Sequence, residues 1–554
     1  MEKILILDFG SQTTALIGRR IREMGVYTEI ISGDTPLTQA VLEGVCGIIL
    51  SGSPESVYAD GPKVDGAIYQ SGLPLLGICY GLHRITTDLG GLVEPLPQAE
   101  YGRVAVRLLD ADVLMPAVLG HEGPGHTRLG PAAKSFFARL AGGPAPLARK
   151  QAAFTAWMSH GDTVSRLAPG FVQCGVSETG YPAVVAHNEK PWFGVQFHPE
   201  ASHCERGSQI LAAFVFDVCK CTKNWTVEQY VREAGERLKK QAEGRTVLLL
   251  ISGGVDSTVT AALLLKYLNP ECIYLMYIDT GLMRKNETAE VEQALRRLGA
   301  QNLHIIHAEE EFLSRLAGIS APEEKRKIIG DLFITVQERE VEKLKLPADY
   351  LLVQGTLYTD LIESGKGIGI KARLIKSHHN VGSPLVEAKR QAGRILEPLE
   401  RFYKDEVRAA GRLLGLSEAI VMRHPFPGPG LAVRILGEVT REKCEILRQA
   451  DSIFLDELKK RQSPRGKPLY AEIWQAFAVL LPLRSVGVAG DERRYGYVLS
   501  LRAVTSADGM TADVYQFESK DLVEISTIIT NTVKDIGRVC YDISSKPPAT
   551  IEWE

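Results

Sequence analysis

The chain has 554 residues, of which 45% are apolar and 24% charged, and its formal net charge is −3. This length and composition predict about three to five globular domains. The near-neutral charge predicts no general attraction to nucleic acid. No stretch reaches roughly 18 consecutive apolar residues, so we expect no membrane-spanning helix. Nine scattered cysteines, and a start that runs straight into a strand pattern, predict a reducing, cytoplasmic location.

The first 205 residues alternate short apolar runs with Gly-rich turns and helical patterns. Residues 4–7, 47–50 and 74–78 are predicted strands, buried in a parallel sheet. This alternation predicts an α/β layered fold. Residues 115–134 are rich in Gly, Pro and His, so we expect an exposed loop there.

A cysteine flanked by glycines follows the third of these strands, in the sequence GICYG. Such a turn holds Cys79 on an exposed elbow at the start of a helix, which favours its thiolate. His198 and Glu200 stand two residues apart, so on an extended segment their side chains face the same way. The pattern predicts a catalytic triad in which His198 takes the proton of Cys79 and Glu200 orients the ring.

The second region, residues 225–424, follows a short linker predicted at residues 219–226. Residues 246–251 and 272–278 are predicted strands, and residues 258–268 and 287–298 are predicted helices. This succession again favours a doubly wound α/β domain.

The sequence SGGVDS joins the first of these strands to its helix. Gly253 and Gly254 let the backbone approach a phosphate, and Ser252 and Ser257 add hydroxyl donors next to the helix N-terminus. Asp256 is repelled by phosphate unless a cation intervenes, which implies Mg²⁺. Because the loop lacks the lysine of the common phosphate loop, it resembles that of the ATP pyrophosphatases, which release pyrophosphate from ATP.

The third region, residues 425–554, opens with alternating prolines at residues 425–430, which exclude a helix and interrupt a strand ladder. Residues 497–504 form its clearest strand pattern, within a smaller α+β domain. The apolar stripe of Ile446, Ala450, Ile453 and Phe454 fits either the core of this domain or a dimer interface.

Together these motifs resemble the family of glutamine-hydrolysing GMP synthetases, which join a class I glutamine amidotransferase to an ATP pyrophosphatase. The likeness covers nearly the whole chain and is most specific in HPFPGPGLAVR at 424–434 and SSKPPATIEWE at 544–554. It implies an amidotransferase domain (1–218), a pyrophosphatase domain (219–424) and a C-terminal domain for XMP binding and homodimerisation (425–554). The implied substrates are ATP, XMP and glutamine, and the implied reaction passes through adenylyl-XMP.

The resemblance also assigns roles to individual residues. The oxyanion and glutamine-binding candidates are Gly52, Ser53, Tyr80 and His83. The ATP candidates are Ser252, Gly253, Gly254, Val255, Asp256, Ser257, Gln354 and Gly355. The synthetase and lid candidates are Asp360, Glu363, Lys376, His378 and His379, with a lid expected at residues 362–382. The XMP candidates are Arg326, Pro427, Gly428, Pro429, Lys546, Ile551 and Glu552.

Several positions depart from the family pattern, among them Ala99 and Ser383-Pro384, and two of them lie at the predicted glutamine site. Ser53 replaces a glycine of the oxyanion segment, and His83 replaces the glutamine four residues after the nucleophile. A histidine differs from glutamine in reach and charge, and its protonation is sensitive to pH. We therefore hypothesise that glutamine use is weakened while ammonia-driven synthesis remains.

Three alternatives stay open at this point. The chain could be another glutaminase-linked ATP pyrophosphatase with a different acceptor, which the C-terminal motifs disfavour. It could be an RNA-modifying relative, although no basic appendage or sulfur-transfer cysteine pair is visible. Its first domain could also be regulatory rather than catalytic.

Overall fold

The computed structural model describes residues 2–109, 131–140, 153–358, 360 and 384–554, except residues 12, 59, 60, 202, 490, 491, 507–511 and 547. They form two compact units that meet in the sequence between Gln229 and Tyr230, and Asp360 groups with the first unit. The first unit contains a mixed sheet with a parallel half and the second contains a parallel sheet, and helices connect the parallel strands, which confirms the α/β class. No helix within these ranges combines the length and the apolar composition that crossing a bilayer requires.

The described residues of the first unit form one nine-stranded sheet. Its strands are β1 (Lys3–Asp8), β2 (Thr28–Ser32), β3 (Val45–Leu50), β4 (Leu75–Ile78), β5 (Leu92–Leu108), β6 (Ala153–Arg166), β7 (Phe171–Ser177), β8 (Pro182–His187) and β9 (Trp192–Val195). They lie in the order β2-β1-β3-β4-β9-β8-β7-β5-β6. Pairing is parallel from β2 to β9 and antiparallel from there on. The carboxyl ends of β3, β4 and β9 therefore meet at one edge, where α/β proteins bind ligands.

The described part of the first unit contains five α-helices. They are Thr14–Glu23, Gln39–Leu42, Tyr80–Asp88, Pro131–Leu140 and Gly207–Ala212, with a 3-10 helix at Gly66–Gln70 and a π-helical turn at Ala213–Val218. The prediction of a loop at 115–134 is wrong for its last four residues, because a helix begins at Pro131. A proline suits this position, since its fixed φ matches the first turn. Residues 110–130 lie outside the described part of the chain.

The predicted linker at 219–226 is packed rather than free. Cys219, Cys221 and Trp225 are buried. The N–H groups of Asn224 and Trp225 both donate to Gly25 O at 3.0 Å. Burial and these backbone bonds fix the segment to the first unit.

The second unit contains a five-stranded parallel sheet. Its strands are β10 (Val247–Ile251), β11 (Ile273–Asp279), β12 (Asn302–His307), β13 (Leu351–Val353) and β14 (Ile395–Leu396). Their order is β12-β11-β10-β13-β14, and every pair is parallel. The strand order reverses between β10 and β13, which is where a doubly wound sheet opens a ligand-binding crevice.

The helices from residue 227 onward confirm the predicted succession. They are Val227–Ala242, Val255–Tyr267, Glu287–Arg297, Glu309–Leu316, Pro322–Lys343, Pro384–Gln391, Lys404–Leu413, Glu418–Val421, Arg441–Lys460, Leu469–Glu472 and Ser519–Thr532, with 3-10 helices at Pro270–Cys272 and Gly430–Arg434. The helix predicted at 258–268 begins earlier, at Val255, so the second half of the SGGVDS motif belongs to its first turn.

A second sheet in this unit is built from β15 (Gln475–Ala489), β16 (Glu492–Thr505), β17 (Asp513–Val514) and β18 (Ile536–Tyr541). β16 pairs antiparallel with β15 and β17 and parallel with β18. One hydrophobic core runs from Leu248 to Ile536 and includes Ile446, Ala450 and Phe454. The stripe that fitted either a core or a dimer interface is therefore core.

Candidate active sites

Cys79 lies where β4 passes into the helix Tyr80–Asp88. β4 and β9 are parallel neighbours with Ile78 opposite Val195, so the residues that follow them leave the sheet side by side. The N–H of Cys79 donates to Val195 O at 2.8 Å. Cys79 has a φ of 52°, a left-handed conformation that non-glycine residues rarely adopt. A strained turn of this kind is typical of a nucleophile presented at the top of a sheet.

His198 and Glu200 follow β9 and are buried beside the cysteine. His198 Nδ1 lies 2.7 Å from Glu200 Oε1. Burial alone lowers the pKa of His198, but the Glu200 carboxylate and a hydrogen bond with the Cys79 side chain outweigh it, and the pKa stands well above its ordinary value. An imidazolium beside the sulfur favours the thiolate that attacks a carbonyl. The structure thus brings the three predicted triad residues together.

The oxyanion candidates Gly52 and Ser53 follow β3. A Cβ added to Gly52 would lie 3.1 Å from His198 Cε1, so this glycine lines the site. Ser53 is not among the residues of the described chain with positive φ, so its Cβ causes no backbone strain. The hydroxyl of Tyr80 donates to Pro62 O at 2.6 Å. Tyr80 therefore offers the site its backbone N–H, at the first position of a helix.

His83 lies one helical turn beyond Cys79 and is only 3% exposed. Its Nε2 lies 2.7 Å from Gln196 Oε1, and Gln196 Nε2 lies 3.8 Å from Cys79 Sγ. Burial lowers the pKa of His83 to about 4, so the ring is neutral near pH 7 and the expected pH sensitivity there is wrong. Sequence reasoning missed Gln196, although it precedes His198 by the same two-residue step that relates His198 to Glu200.

The phosphate loop begins where β10 ends, at the reversal of the strand order. Gly253 has a φ of 78°, and the helix Val255–Tyr267 starts with no side-chain cap on its first N–H groups. The hydroxyls of Ser252 and Ser257 lie 3.1 Å apart, and Ser257 Oγ donates to Gly254 O at 3.1 Å. Uncapped N–H groups and hydroxyls at one helix N-terminus can hold an anion.

Gln354 and Gly355 follow β13, the neighbour of β10. A Cβ on Gly355 would lie 3.5 Å from Ser257 N, so this strand end meets the same helix start. In that helix, Asp256 Oδ2 accepts from Lys404 Nζ at 2.5 Å. Lys404 thus places a positive charge next to the loop, whose own sequence contains no lysine. Sequence reasoning missed it, since 148 residues separate the two partners.

An ion pair between Arg423 and the buried Glu287 supports the phosphate loop. Arg423 Nη1 donates to Gly253 O at 3.1 Å and to Glu287 Oε1 at 3.2 Å. Glu287 is 4% exposed, and its other oxygen accepts from the N–H of Arg284. These bonds hold the loop backbone in place from the side of the helix Glu287–Arg297.

Two of the XMP candidates, Arg326 and Glu552, make hydrogen bonds that hold the segment 551–554 in place. Arg326 Nη2 donates to the carbonyl of Glu554. Glu552 accepts from Arg434 Nη2 at 2.8 Å and from Gln475 Nε2 at 2.7 Å. Arg434 is fully buried, so the Glu552 carboxylate is anchored by a desolvated charge.

The remaining C-terminal candidates are held by backbone bonds. The N–H of Lys546 donates to Ala512 O at 2.8 Å. Ile551 is 8% exposed, and its carbonyl accepts from Arg502 Nε at 2.7 Å. Pro427 O accepts from the N–H of Gly430 at 2.9 Å, which closes the turn containing Gly428 and Pro429.

Some predicted residues fall elsewhere. Asp360 is half-buried and groups with the first unit rather than with the phosphate loop. The lid expected at 362–382 lies outside the described residues, and so do four of its candidates, Glu363, Lys376, His378 and His379.

A cysteine elbow on one α/β unit and a pyrophosphatase-type loop on another define a glutamine amidotransferase joined to an ATP-using enzyme. Two family models match the chain: "Glutamine amidotransferase class-I" over residues 5–218 and "GMP synthase C terminal domain" over residues 463–553.

Full-length relatives narrow this class to one family. The chain is 46% identical to the GMP synthase [glutamine-hydrolyzing] of Aquifex aeolicus and 45% identical to those of Carboxydothermus hydrogenoformans and Symbiobacterium thermophilum. Each match covers 100% of this chain and 99% of the relative. The chain belongs to the glutamine-hydrolyzing GMP synthase family.

Proposed function

We propose that this chain carries out the reaction of its family at two sites, one in each unit. The overall reaction is the ATP-dependent amination of XMP with nitrogen from glutamine. ATP, XMP, glutamine and water give GMP, AMP, pyrophosphate and glutamate. The enzyme is thus a carbon–nitrogen ligase with glutamine as amido donor.

The first unit hydrolyses glutamine at Cys79. The thiolate attacks the amide carbon while His198, oriented by Glu200, holds the proton and then delivers it to the departing ammonia. The N–H groups of Ser53 and Tyr80 stabilise the oxyanion that forms in this step. Water then cleaves the glutamyl thioester and releases glutamate.

The second unit uses this ammonia to replace an oxygen of XMP. The phosphate loop, with Gln354 and Gly355, holds ATP so that the xanthine oxygen attacks its α-phosphorus and pyrophosphate departs. Ammonia then attacks the activated ring carbon, and AMP leaves. Water must be excluded, because hydrolysis of adenylyl-XMP would waste ATP. We assign this exclusion to residues 362–382, with Glu363, Lys376, His378 and His379 near the reacting nucleotides.

Asp256 is our candidate ligand for Mg²⁺. Its Oδ1 has no hydrogen-bond partner among the described residues and is buried, so a carboxylate oxygen is available in the first turn of the helix. When bound with ATP, Mg²⁺ would neutralise the charge of the phosphate groups. Lys404 balances the charge of Asp256 from the other oxygen.

We assign XMP to the surface formed by the 427–430 turn and the segment 546–552. The cationic groups of Arg326 and Lys546 suit its 5′-phosphate. Pro427, Gly428, Pro429, Ile551 and Glu552 complete the site. The anchoring of Glu552 by Arg434 and Gln475 supports this assignment, because it fixes a carboxylate in one orientation.

We place the domain boundaries after residues 218 and 424 and infer a homodimer through the C-terminal domain. The β15–β16 hairpin supports the dimer, since Leu483, Val486, Val488 and Tyr495 are all more than half exposed, between 51% and 79%. A cluster of exposed apolar side chains is typical of an interface. We place the enzyme in the cytoplasm, because its nine cysteines are all free.

The observation that carries the two-site proposal is the triad at Cys79, in a different unit from the phosphate loop. The experiment compares AMP release from ATP and XMP with glutamine or with ammonium as nitrogen donor. Cys79→Ala should abolish the glutamine-dependent rate and leave the ammonium-dependent rate unchanged.

Cys174→Ala is a matched control, since Cys174 is a buried cysteine of the same unit. It should support both rates. If Cys79→Ala retains synthesis from glutamine, the assignment of the nucleophile is wrong. If the wild-type enzyme uses only ammonium, the alternative of a regulatory first domain holds.

A further inference from the structure

Gln196 connects the nucleophile to the one residue of the site that departs most from the family pattern. It is 1% exposed. Its Oε1 lies 2.7 Å from His83 Nε2, and its Nε2 donates to Cys79 Sγ at 3.8 Å. An amide oxygen can only accept, so His83 must donate through Nε2–H. The ring therefore selects which end of the Gln196 amide faces the sulfur.

The orientation of this amide matters for the charged form of the cysteine. With Nε2 toward the sulfur, the amide presents an N–H donor to a thiolate. With the amide reversed, the carbonyl oxygen would face the thiolate, and the two negative ends would repel each other. Hydrogen bonding to the charged form of a group favours that form.

The other groups around the sulfur do not replace this donor. The carbonyl of Ser159 lies 3.9 Å from Cys79 Sγ and can only accept from the neutral thiol. His198 faces the sulfur and is held by Glu200. Gln196 is therefore the second donor after His198 among the described side chains bonded to this sulfur.

The surroundings of His83 keep its imidazole neutral, with a single N–H. Burial is the largest cause that lowers the pKa of His83 to about 4; the neighbouring His160 also lowers it, while Gln196 and Asp162 act in the opposite direction. His160 in turn faces Glu100 at 3.0 Å. Between pH 6 and 9 the His83 ring is therefore neutral and carries a single N–H, whose acceptor is Gln196.

We propose that His83 is a positioning residue for the nucleophile: it orients the Gln196 amide so that this amide donates to the Cys79 thiolate. The proposal rests on the role of Cys79 in the proposed function. It differs from a substrate-binding role for residue 83, because the imidazole acts on the enzyme's own sulfur through Gln196. A donor at residue 83 is required, whereas an imidazole is not.

The test measures alkylation of Cys79 by iodoacetamide against pH in the full-length enzyme, with the modified cysteine identified by mass spectrometry. His83→Leu removes the donor, and His83→Gln restores an N–H donor in place of the imidazole. We expect His83→Leu to slow alkylation at pH 7 by about tenfold, the effect of losing one hydrogen bond to a charged group, and to move the alkylation midpoint to higher pH. His83→Gln should behave like the wild type.

Steady-state rates provide the second readout. His83→Leu should lower kcat for glutamine-dependent synthesis more than it raises KM for glutamine, and ammonium-dependent synthesis should be unchanged. His307→Gln, which replaces an exposed histidine of the second unit, should alter neither alkylation nor kinetics.

Two results would overturn the proposal. One is a His83→Leu enzyme with the wild-type alkylation profile and only a raised KM for glutamine, which would make His83 a substrate contact. The other is a His83→Gln enzyme as slow in alkylation as His83→Leu, which would show that restoring the donor does not help. Failure of the proposed function gives a different result, namely a Cys79→Ala enzyme that still uses glutamine.

Discussion

The Glu200 carboxylate is completely buried, and its charge is one reason why the pKa of His198 stands above its ordinary value. Glu200→Gln keeps the size of the side chain and removes the charge. Burial of the ring then lowers the pKa of His198 without opposition from this partner. We expect glutamine-dependent GMP formation to fall at least about 100-fold, with the ammonium-dependent rate unchanged.

Steady-state assays with each nitrogen donor measure this effect. Glu189→Gln removes an exposed carboxylate of the same unit and should change neither rate. Equal loss with both donors would contradict the prediction, because it would indicate general damage rather than a change at the imidazole.

The hydrogen bonds and burial of His424 lead us to expect that acid destabilises the second unit. Its Nδ1 accepts from the N–H of Ala476 at 3.1 Å, so Nε2 must carry the proton that bonds to Tyr470 O at 2.9 Å. Burial lowers the pKa of His424 to about 4. Below pH 6.5 the imidazole of the unfolded chain is protonated, whereas that of the folded protein stays neutral. The free energy of unfolding therefore decreases as the pH falls from 6.5 toward 4.

The loss attributable to His424 should reach about 2 kcal/mol at pH 5. Denaturant unfolding at pH 7 and pH 5 measures it. His424→Gln should be less stable at pH 7 yet show a smaller pH dependence than the wild type, while His307→Gln keeps the wild-type dependence. An unchanged pH dependence in His424→Gln would show that another group is responsible.

At the scale of elements, alanine substitutions at the two glycines of the phosphate loop can distinguish an effect of backbone strain from an effect on ligand binding. Gly253 has a φ of 78°, and a Cβ there would lie 3.3 Å from Glu287 Oε1. Gly254 has ordinary φ, and among the described residues only Ser252 Oγ would lie within 4 Å of an added Cβ, at 3.4 Å. Gly253→Ala should therefore lower stability by about 1–2 kcal/mol, whereas Gly254→Ala should not.

Both alanine variants should nevertheless raise KM for ATP, because the loop backbone would no longer approach a phosphate closely. Unfolding curves and ATP titrations of the ammonium-dependent reaction provide the two measurements. A Gly254→Ala enzyme with normal KM for ATP would place the phosphates away from this residue.

Much of this arrangement could be predicted from sequence, because it depends on local patterns. Apolar runs ending in GICYG and SGGVDS predict a buried strand, a tight turn and a helix start. Close approach explains some glycines: a Cβ on Gly81 would lie 2.2 Å from Leu50 O. The contacts of Lys404 with Asp256 and of Gln196 with His83 could not be predicted, since they join residues more than 100 positions apart.

The first turn of the helix at Val255 illustrates a smaller limit. The sequence predicts a loop for Val255, Asp256 and Ser257, because all three are weak helix formers and two glycines precede them. In the structure, this helix start has no side-chain cap, and we propose that its N–H groups bind the phosphates. Propensity therefore misplaced the helix start at the position where function requires free backbone donors.

At the scale of the whole molecule, the exposed hairpin β15–β16 predicts the assembly. Val488 is 79% exposed and Val486 51%, two residues apart on one face of β15. Leaving such a surface in water is unfavourable, and covering it with a second copy removes apolar area from solvent. Lysines at both positions would place like charges in a self-complementary interface.

We expect Val486→Lys/Val488→Lys to sediment as a monomer at concentrations where the wild type sediments as a dimer. Leu413→Lys is the matched control, because Leu413 is an exposed apolar residue of the same unit outside the hairpin, and it should remain dimeric. Both variants should retain glutamine hydrolysis, since the Cys79 site belongs to the other unit. A double-lysine variant with the mass of the wild-type assembly would place the interface on another surface.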